Sequence, residues 1–436
     1  MDEGGHEPGG ASAVCHDHFC ERCQRCDHSD HRRREHLMWR GEHLKWFEQQ
    51  WERNLDEVLC RRGEDVDRPD HLARDQLVAD AMSPEASRKH YLQLLQQQRE
   101  VLASKADGDA FRHGLQRFPS LERVTITPFA HGELFSPLYE TPMIRAFPRG
   151  FNYPLPRTWL INRQELLDMG LAHPWSDLSE ADKDRWRGFR IVARELAHNQ
   201  HHRVTELAID NCHLLSGINC TIFAEPCAEY DNLVALLLRP GFRRLDLALL
   251  TGEQSCRGWS AFRSGHLRRA LSEAPGMEHI SLRSSESRPD EYRHLNNPPD
   301  YRFVPLRTIF PVETWPRLHH FELSQFPVRQ NDLLSFLGTL PATLRPVELT
   351  CLLFQEGNYY DLLEGMRTTL TWRGRIEAER PKVTVGTMEY VDMGRMVWVD
   401  KAVDSFLYGD GANPFHEGEK NRNVLKDGVG IERDPL

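Results

Sequence analysis

The residues best suited to chemistry crowd into one run, CHDHFCERCQRCDHSDH, residues 15–31. Cys20-x-x-Cys23-x-x-Cys26 sets three thiols at chelating spacing, with Cys15, His16, His18, His28 and His31 close by. Zinc takes four nitrogen or sulfur ligands in a tetrahedron, and a C-x-x-C turn supplies two of them with little strain. The spacing nominates Cys20, Cys23, Cys26 and His31 as a zinc site. The second ligand pair that a finger carries about 12–20 residues further on is missing. The same residues therefore also read as a disordered tail with several alternative ligand sets. No G-x-x-x-x-G-K-[ST], G-x-S-x-G or H-E-x-x-H occurs, and no G-x-G-x-x-G follows a strand pattern. The pairs His201–His202 and His319–His320 read as surface or packing residues at strand edges. No catalytic residue is nominated, no cofactor beyond that zinc, and the chain reads as non-enzymatic.

The elements that must carry any such site are written in a different part of the chain. The 436 residues hold 55 basic and 65 acidic side chains, a formal charge of -10, with a mean hydropathy of -0.59. That balance argues against nucleic acid and membrane surfaces as partners, since both favour a basic face. The start, MDEGGHEPGG, lacks the charged-then-apolar layout of a secretory signal. The ten cysteines are too unevenly placed for a disulfide scaffold. These features point to an intracellular protein with reduced thiols, cytoplasmic or nuclear.

Residues 1–31 have almost no large apolar side chains and cannot build a core. Residues 32–110 read as a helical region. Leu37, Leu44, Phe47, Trp51, Leu55 and Val58 share one helical stripe. Ser83 with Pro84 makes an N-cap followed by proline at the first helical position. From residue 111 to 386 an L-x-x-L-x-L triple returns six times: Leu121/Val124/Ile126, Val204/Leu207/Ile209, Phe242/Leu245/Leu247, Met277/Ile280/Leu282, Leu318/Phe321/Leu323 and Leu344/Val347/Leu349. Pro119, Pro240, Pro275, Pro316 and Pro341 stand two or three positions ahead of five of them, where chance supplies about one.

Each unit reads helix, proline stop, short strand. The last two apolar residues of a triple alternate at the strand period and point to one face. A strand and helix alone cannot bury that face, but stacked copies can. The expected fold is α/β, an irregular leucine-rich-repeat solenoid of parallel strands backed by helices, with an N-terminal helical cap. The triples start 83, 38, 35, 41 and 26 residues apart, against 20–29 in regular repeats, so an α/β layered domain using the same strands is the alternative. Residues 387–436 then form a C-terminal cap and a loose tail, with PKVTVG as a final edge strand.

The phrases FPSLERVTI, YETPMIRAFP, WPRLHHFELSQF, LLSFLGTLPATLRPVELTCL and LLEGMRTTLTWRGR resemble the irregular leucine-rich repeats of fungal F-box-like proteins, over roughly residues 111–410. The resemblance implies a substrate receptor of an F-box-type ubiquitin ligase, in which an N-terminal three-helix module docks on the ligase scaffold and the repeats hold a protein substrate. The Leu-Pro that usually opens such a module occurs only at 155–156 and 340–341, so no F-box is recognisable in residues 32–103.

In the solenoid reading, the outward strand positions form the partner surface. They are Thr125, Ala208, Asp246, Ser281, Glu322 and Glu348 at the centre of the triples, then Thr127, Asp210, Ala248, Arg283, Ser324 and Thr350 one step on. Their mixed, mildly acidic character suits a folded protein partner. The alternative function is a zinc-binding regulatory or nucleic-acid-associated protein using residues 15–31.

Overall fold

A computed structural model describes residues 42–64, 71–132, 134–155, 172–199, 201–212, 216–252, 254, 258–286, 303–388, 396–418 and 423–433. The zinc-ligand candidates Cys20, Cys23, Cys26 and His31 lie outside the described residues. So do Leu37 and most of the polar insertion at 284–301.

Four helices come first: α1 (Glu42–Glu64), α2 (His71–Ala79), α3 (Pro84–Ser104) and α4 (Ala106–Arg117). Ser83 caps α3 as its residue type requires, its hydroxyl accepting from the Ala86 amide at 3.3 Å. The helical region is tied down by the segment at 147–153. Asn54 donates to the Asn152 side chain and the Tyr153 carbonyl, and Asn152 donates back to the Trp51 carbonyl. Helix α4 runs past residue 110 and buries Leu115 in the main core, so the boundary expected there cuts through an element.

The triples form the sheet. Strands β1 (Arg123–Ile126), β2 (Glu206–Ile209), β3 (Ile218–Asn219), β4 (Arg244–Leu250), β5 (His279–Ser284), β6 (His320–Ser324), β7 (Pro327–Arg329), β8 (Pro346–Thr350), β9 (Leu353–Glu356), β10 (Lys382–Met388), β11 (Met396–Trp398) and β12 (Ile431–Arg433) follow in chain order. The main sheet runs β1-β2-β4-β5-β6-β8-β10-β11-β12. Every pair from β1 to β10 is parallel, so the chain adds each of these strands on the same side of the last. All six triples are buried except for half-buried Leu121.

The recurring proline has a geometric cause. In all five proline-led triples the amide of the first apolar residue donates to the carbonyl three positions back: Leu121 to Phe118, Phe242 to Arg239, Met277 to Ala274, Leu318 to Trp315 and Leu344 to Pro341. Each strand is thus entered through a β-turn. In the first four of these, proline fills the corner where its fixed φ is pre-set. Gly241 takes the following corner with φ +84°, a conformation that L side chains resist. The next residue of each triple then joins a backbone ladder along the strand entrances. Thr205 donates to Glu122, Arg243 to Thr205, Glu278 to Arg243, His319 to Glu278 and Arg345 to His319.

Helices α5 (Arg187–His198), α6 (Ala228–Leu237), α7 (His266–Ser272), α8 (Leu306–Ile309), α9 (Gln330–Leu337), α10 (Tyr359–Thr369) and α11 (Asp400–Tyr408) alternate with the strands. From α4 onward each of these helices packs on the next in that order. They form a row that shares one hydrophobic core with the apolar side of the sheet. The protein is therefore mixed α/β with a mostly parallel sheet.

Two expectations at the C-terminal end are corrected. PKVTVG is β10, but it is an interior strand, because β11 pairs antiparallel to it and β12 antiparallel to β11. The tail expected to be loose is not loose throughout, since it supplies β12. The sequence signal there is short and polar, and only pairing with β11 makes it a strand.

Candidate functional site

The polar side of the sheet gathers the charged strand residues into rows, because in-register parallel pairing aligns equivalent positions. One row reads Arg123, Glu206, Arg244, His279 and His320. The next reads Thr125, Ala208, Asp246, Ser281, Glu322 and Glu348. The third holds Ala248, Arg283, Ser324 and Thr350.

This face is far more closed than the sequence suggests. Thr125 is exposed, while Thr127, Asp210, Asp246, Arg283, Glu322 and Glu348 are half-buried. Ala208, Ser281, Ser324 and Thr350 are buried, as is Ala248, so their expected exposure is corrected. The reason is that long side chains lie flat across neighbouring strands. Arg123 on β1 reaches over β2 to within 3.7 Å of Asp246 on β4. Arg283 on β5, in register with Ala248 on β4, reaches over β4 to the Asn211 side chain at 2.9 Å and pairs with Glu322 on β6 at 3.2 Å. Strands about 4.8 Å apart leave small residues no room between such spans.

Two clusters stand out. In the first, Asp246 receives Arg244 at 2.8 Å, and His279 Nε2 lies 2.7 Å from Asp246 Oδ1, off the line of a hydrogen bond. Burial pushes the Asp246 carboxyl up, but His279 and Arg244 together outweigh it and hold the group below the usual carboxylate range. Beside it, a cavity of about 180 Å³ is lined by Asp210, Asn211, Arg244, Asp246, Arg283 and Glu322, among others.

In the second cluster, His279 stacks on His320 with ring centroids 3.8 Å apart. His320 Nε2 lies 3.5 Å from Glu348 Oε1. The nearest ligand atoms of His320, Glu322 and Glu348 all fall within 4.8 Å of one another. Burial, followed by the nearby His279 and Arg244 charges, lowers His320 to about 3, so its imidazole is neutral. Burial, then the Glu322 and Asp400 carboxylates, raises Glu348 to about 7. From the sequence the His319–His320 pair reads as surface or packing residues. The legible signal was His320-x-Glu322, which puts imidazole and carboxylate on one face of a strand; Glu348 arrives only through strand pairing.

The Glu348 shift has a stability consequence. A carboxyl raised above its unfolded value destabilises the fold where it is ionised and is relieved as pH falls through the folded value. Glu348→Gln is expected to stabilise the protein at pH 8 by roughly 2 kcal/mol, allowing for solvent screening. At pH 5.5 the folded group is already neutral while the unfolded one still ionises, so the gain is clearly smaller, and it nearly vanishes only below the unfolded value. Urea unfolding in the presence of chelator at both pH values checks this. Equal gains at the two would remove the like-charge account.

A larger cavity, about 500 Å³, lies between α4, α5 and α6 and is lined by Arg112, Arg187, Arg190 and Arg194. These arginines are already paired with Glu195, Asp107, Glu180 and Glu229, which leaves little net charge for a ligand. Among the described residues no helix is long and apolar enough to cross a membrane. No known family model, curated protein or solved structure matches the chain.

Proposed function

We propose that the chain is a non-enzymatic, intracellular repeat protein, an irregular leucine-rich-repeat solenoid whose polar sheet face binds a folded protein partner. The observation that carries this reading is the arrangement of the layers. The helix row backs the apolar side of the sheet, and seven parallel strands present in-register rows of charge on the other. Repeating turns, strand entrances and helices at equivalent positions support the solenoid. The self-paired carpet of Arg123, Asp246, Arg283 and Glu322 is pre-organised. A partner meeting it loses little side-chain entropy, and its own charges fix the register.

By the resemblance to F-box-like proteins, the partner is a protein to be ubiquitinated and the N-terminal helices dock on a ligase scaffold. Affinity purification of the wild type, Thr125→Arg and Leu238→Arg, with mass spectrometry, tests both levels. Thr125 is exposed on the polar face, whereas Leu238 is exposed at the end of α6 in the helix row. A protein held by the wild type and Leu238→Arg but lost from Thr125→Arg is the expected result. Equal retention by all three would remove the sheet face as the binding surface. Cullin and its linker subunit in stoichiometric amounts with all three would support the ligase role. A partner recovered without them would leave a binding scaffold outside that system.

A further inference from the structure

We infer that His320, Glu322 and Glu348 form a binding site for a divalent first-row transition ion, with zinc its natural probe, on the polar face of the sheet. The donor set is one imidazole nitrogen and two carboxylates. The imidazole favours zinc or its neighbours over calcium and magnesium, which take all-oxygen shells. Strand geometry supplies the convergence. His320 and Glu322 are two residues apart on β6 and point to one face, and Glu348 stands opposite Glu322 on β8.

The site also carries polar groups that the protein itself leaves unsatisfied. His320 Nε2 is buried and has no hydrogen-bond partner among the described residues. The hydroxyls of Ser324 and Thr350, two positions on along the same strands and the same face, are likewise buried without partners. Asp400 adds a further buried, unpartnered carboxylate oxygen, and its charge is felt at Glu348. Against these acids stand Lys382 and Arg283, which is already shared between Glu322 and Asn211.

A cation would relieve the repulsion between Glu322 and Glu348 and use the free imidazole lone pair. Metal–ligand bonds near 2.0–2.2 Å need donor atoms about 3–3.5 Å apart. The three donors, now up to 4.8 Å apart, therefore close by up to about 1.3–1.8 Å, within the reach of glutamate rotamers. Three protein ligands leave room for water or a partner's side chain as a fourth.

The test must separate this site from the Cys/His run at residues 15–31. The full chain carrying Cys15→Ser, Cys20→Ser, Cys23→Ser and Cys26→Ser is titrated at pH 8 with Zn²⁺ by calorimetry and with Co²⁺ by absorption spectroscopy. The expected result is one ion per chain, a Co²⁺ ligand-field spectrum without thiolate charge-transfer absorption, and a zinc-dependent rise in melting temperature. Adding Glu348→Gln or His320→Ala is expected to weaken binding at least tenfold. Affinity also falls from pH 8 to pH 6 as protons compete for the donors. Glu348→Gln keeps the side-chain shape and is expected to melt higher than its parent without metal, so lost binding is not lost folding. Absence of binding in the four-serine background, or binding unchanged by both added substitutions, would overturn the site.

Discussion

Leu323→Arg is expected to leave the sheet domain largely unfolded at 25 °C. Leu323 is 0 % exposed and sits in register between Leu282 on β5 and Leu349 on β8, facing the helix row. Burying a leucine side chain contributes about 1.5–3 kcal/mol. An unpaired guanidinium in its place costs several more, and all its strand neighbours on that side are apolar. The sum, on the order of 5 kcal/mol or more, matches the whole stability of many domains. Leu238→Arg is the control, because Leu238 is 55 % exposed although it follows the fully buried Leu236 and Leu237. Thermal and urea unfolding followed by circular dichroism should show Leu323→Arg with little cooperative transition and Leu238→Arg close to wild type. Similar melting of the two variants would mean that the apolar face is assigned to the wrong strand phase.

The second large effect is expected for Arg283→Met. The Arg283 side chain is only 11 % exposed and joins three strands, from Asn211 at the end of β2 across β4 to Glu322 on β6. Methionine keeps much of the aliphatic volume but removes the cation that separates Glu322 and Glu348 from unrelieved repulsion. Removing one partner of a largely buried ion pair costs about 3–5 kcal/mol. Partial exposure of the pair brings the expectation to about 2–4 kcal/mol at pH 8. The pH dependence identifies the cause. Without the guanidinium the Glu348 carboxyl holds its proton still more tightly in the folded than in the unfolded state. Stability is then recovered as pH falls from its folded value toward its unfolded one. Urea unfolding at pH 8 and pH 5.5 should show most of the loss at the higher pH. A loss independent of pH would assign Arg283 a packing role only.

How much of this was legible without coordinates differs from element to element. The six triples carry their own instructions: alternation sets the face, and the proline ahead of five of them presets the turn into the strand. These are local effects, so sequence order alone predicts the parallel strands, the intervening helices and the buried residues. Ser83 capping α3 is legible for the same reason. Residue spacing likewise nominated the polar face, from Thr125 to Glu348, as the surface of interest.

The sequence could not show what happens across that face. How closed that face is depends on spans such as Arg123 on β1 reaching across β2 to Asp246 on β4. Whether His320 is packing or a metal donor depends on Glu348, brought opposite Glu322 by strand pairing. The same dependence makes residues 431–433 an edge strand instead of a loose end. The amino-acid order by itself determined periodicity, turns and caps, because those interactions lie within a few residues of one another. The tertiary structure alone decided burial, charge and ligand convergence on the polar face. Those properties belong to pairs of strands, and which pairs meet is settled only when the whole sheet is in register.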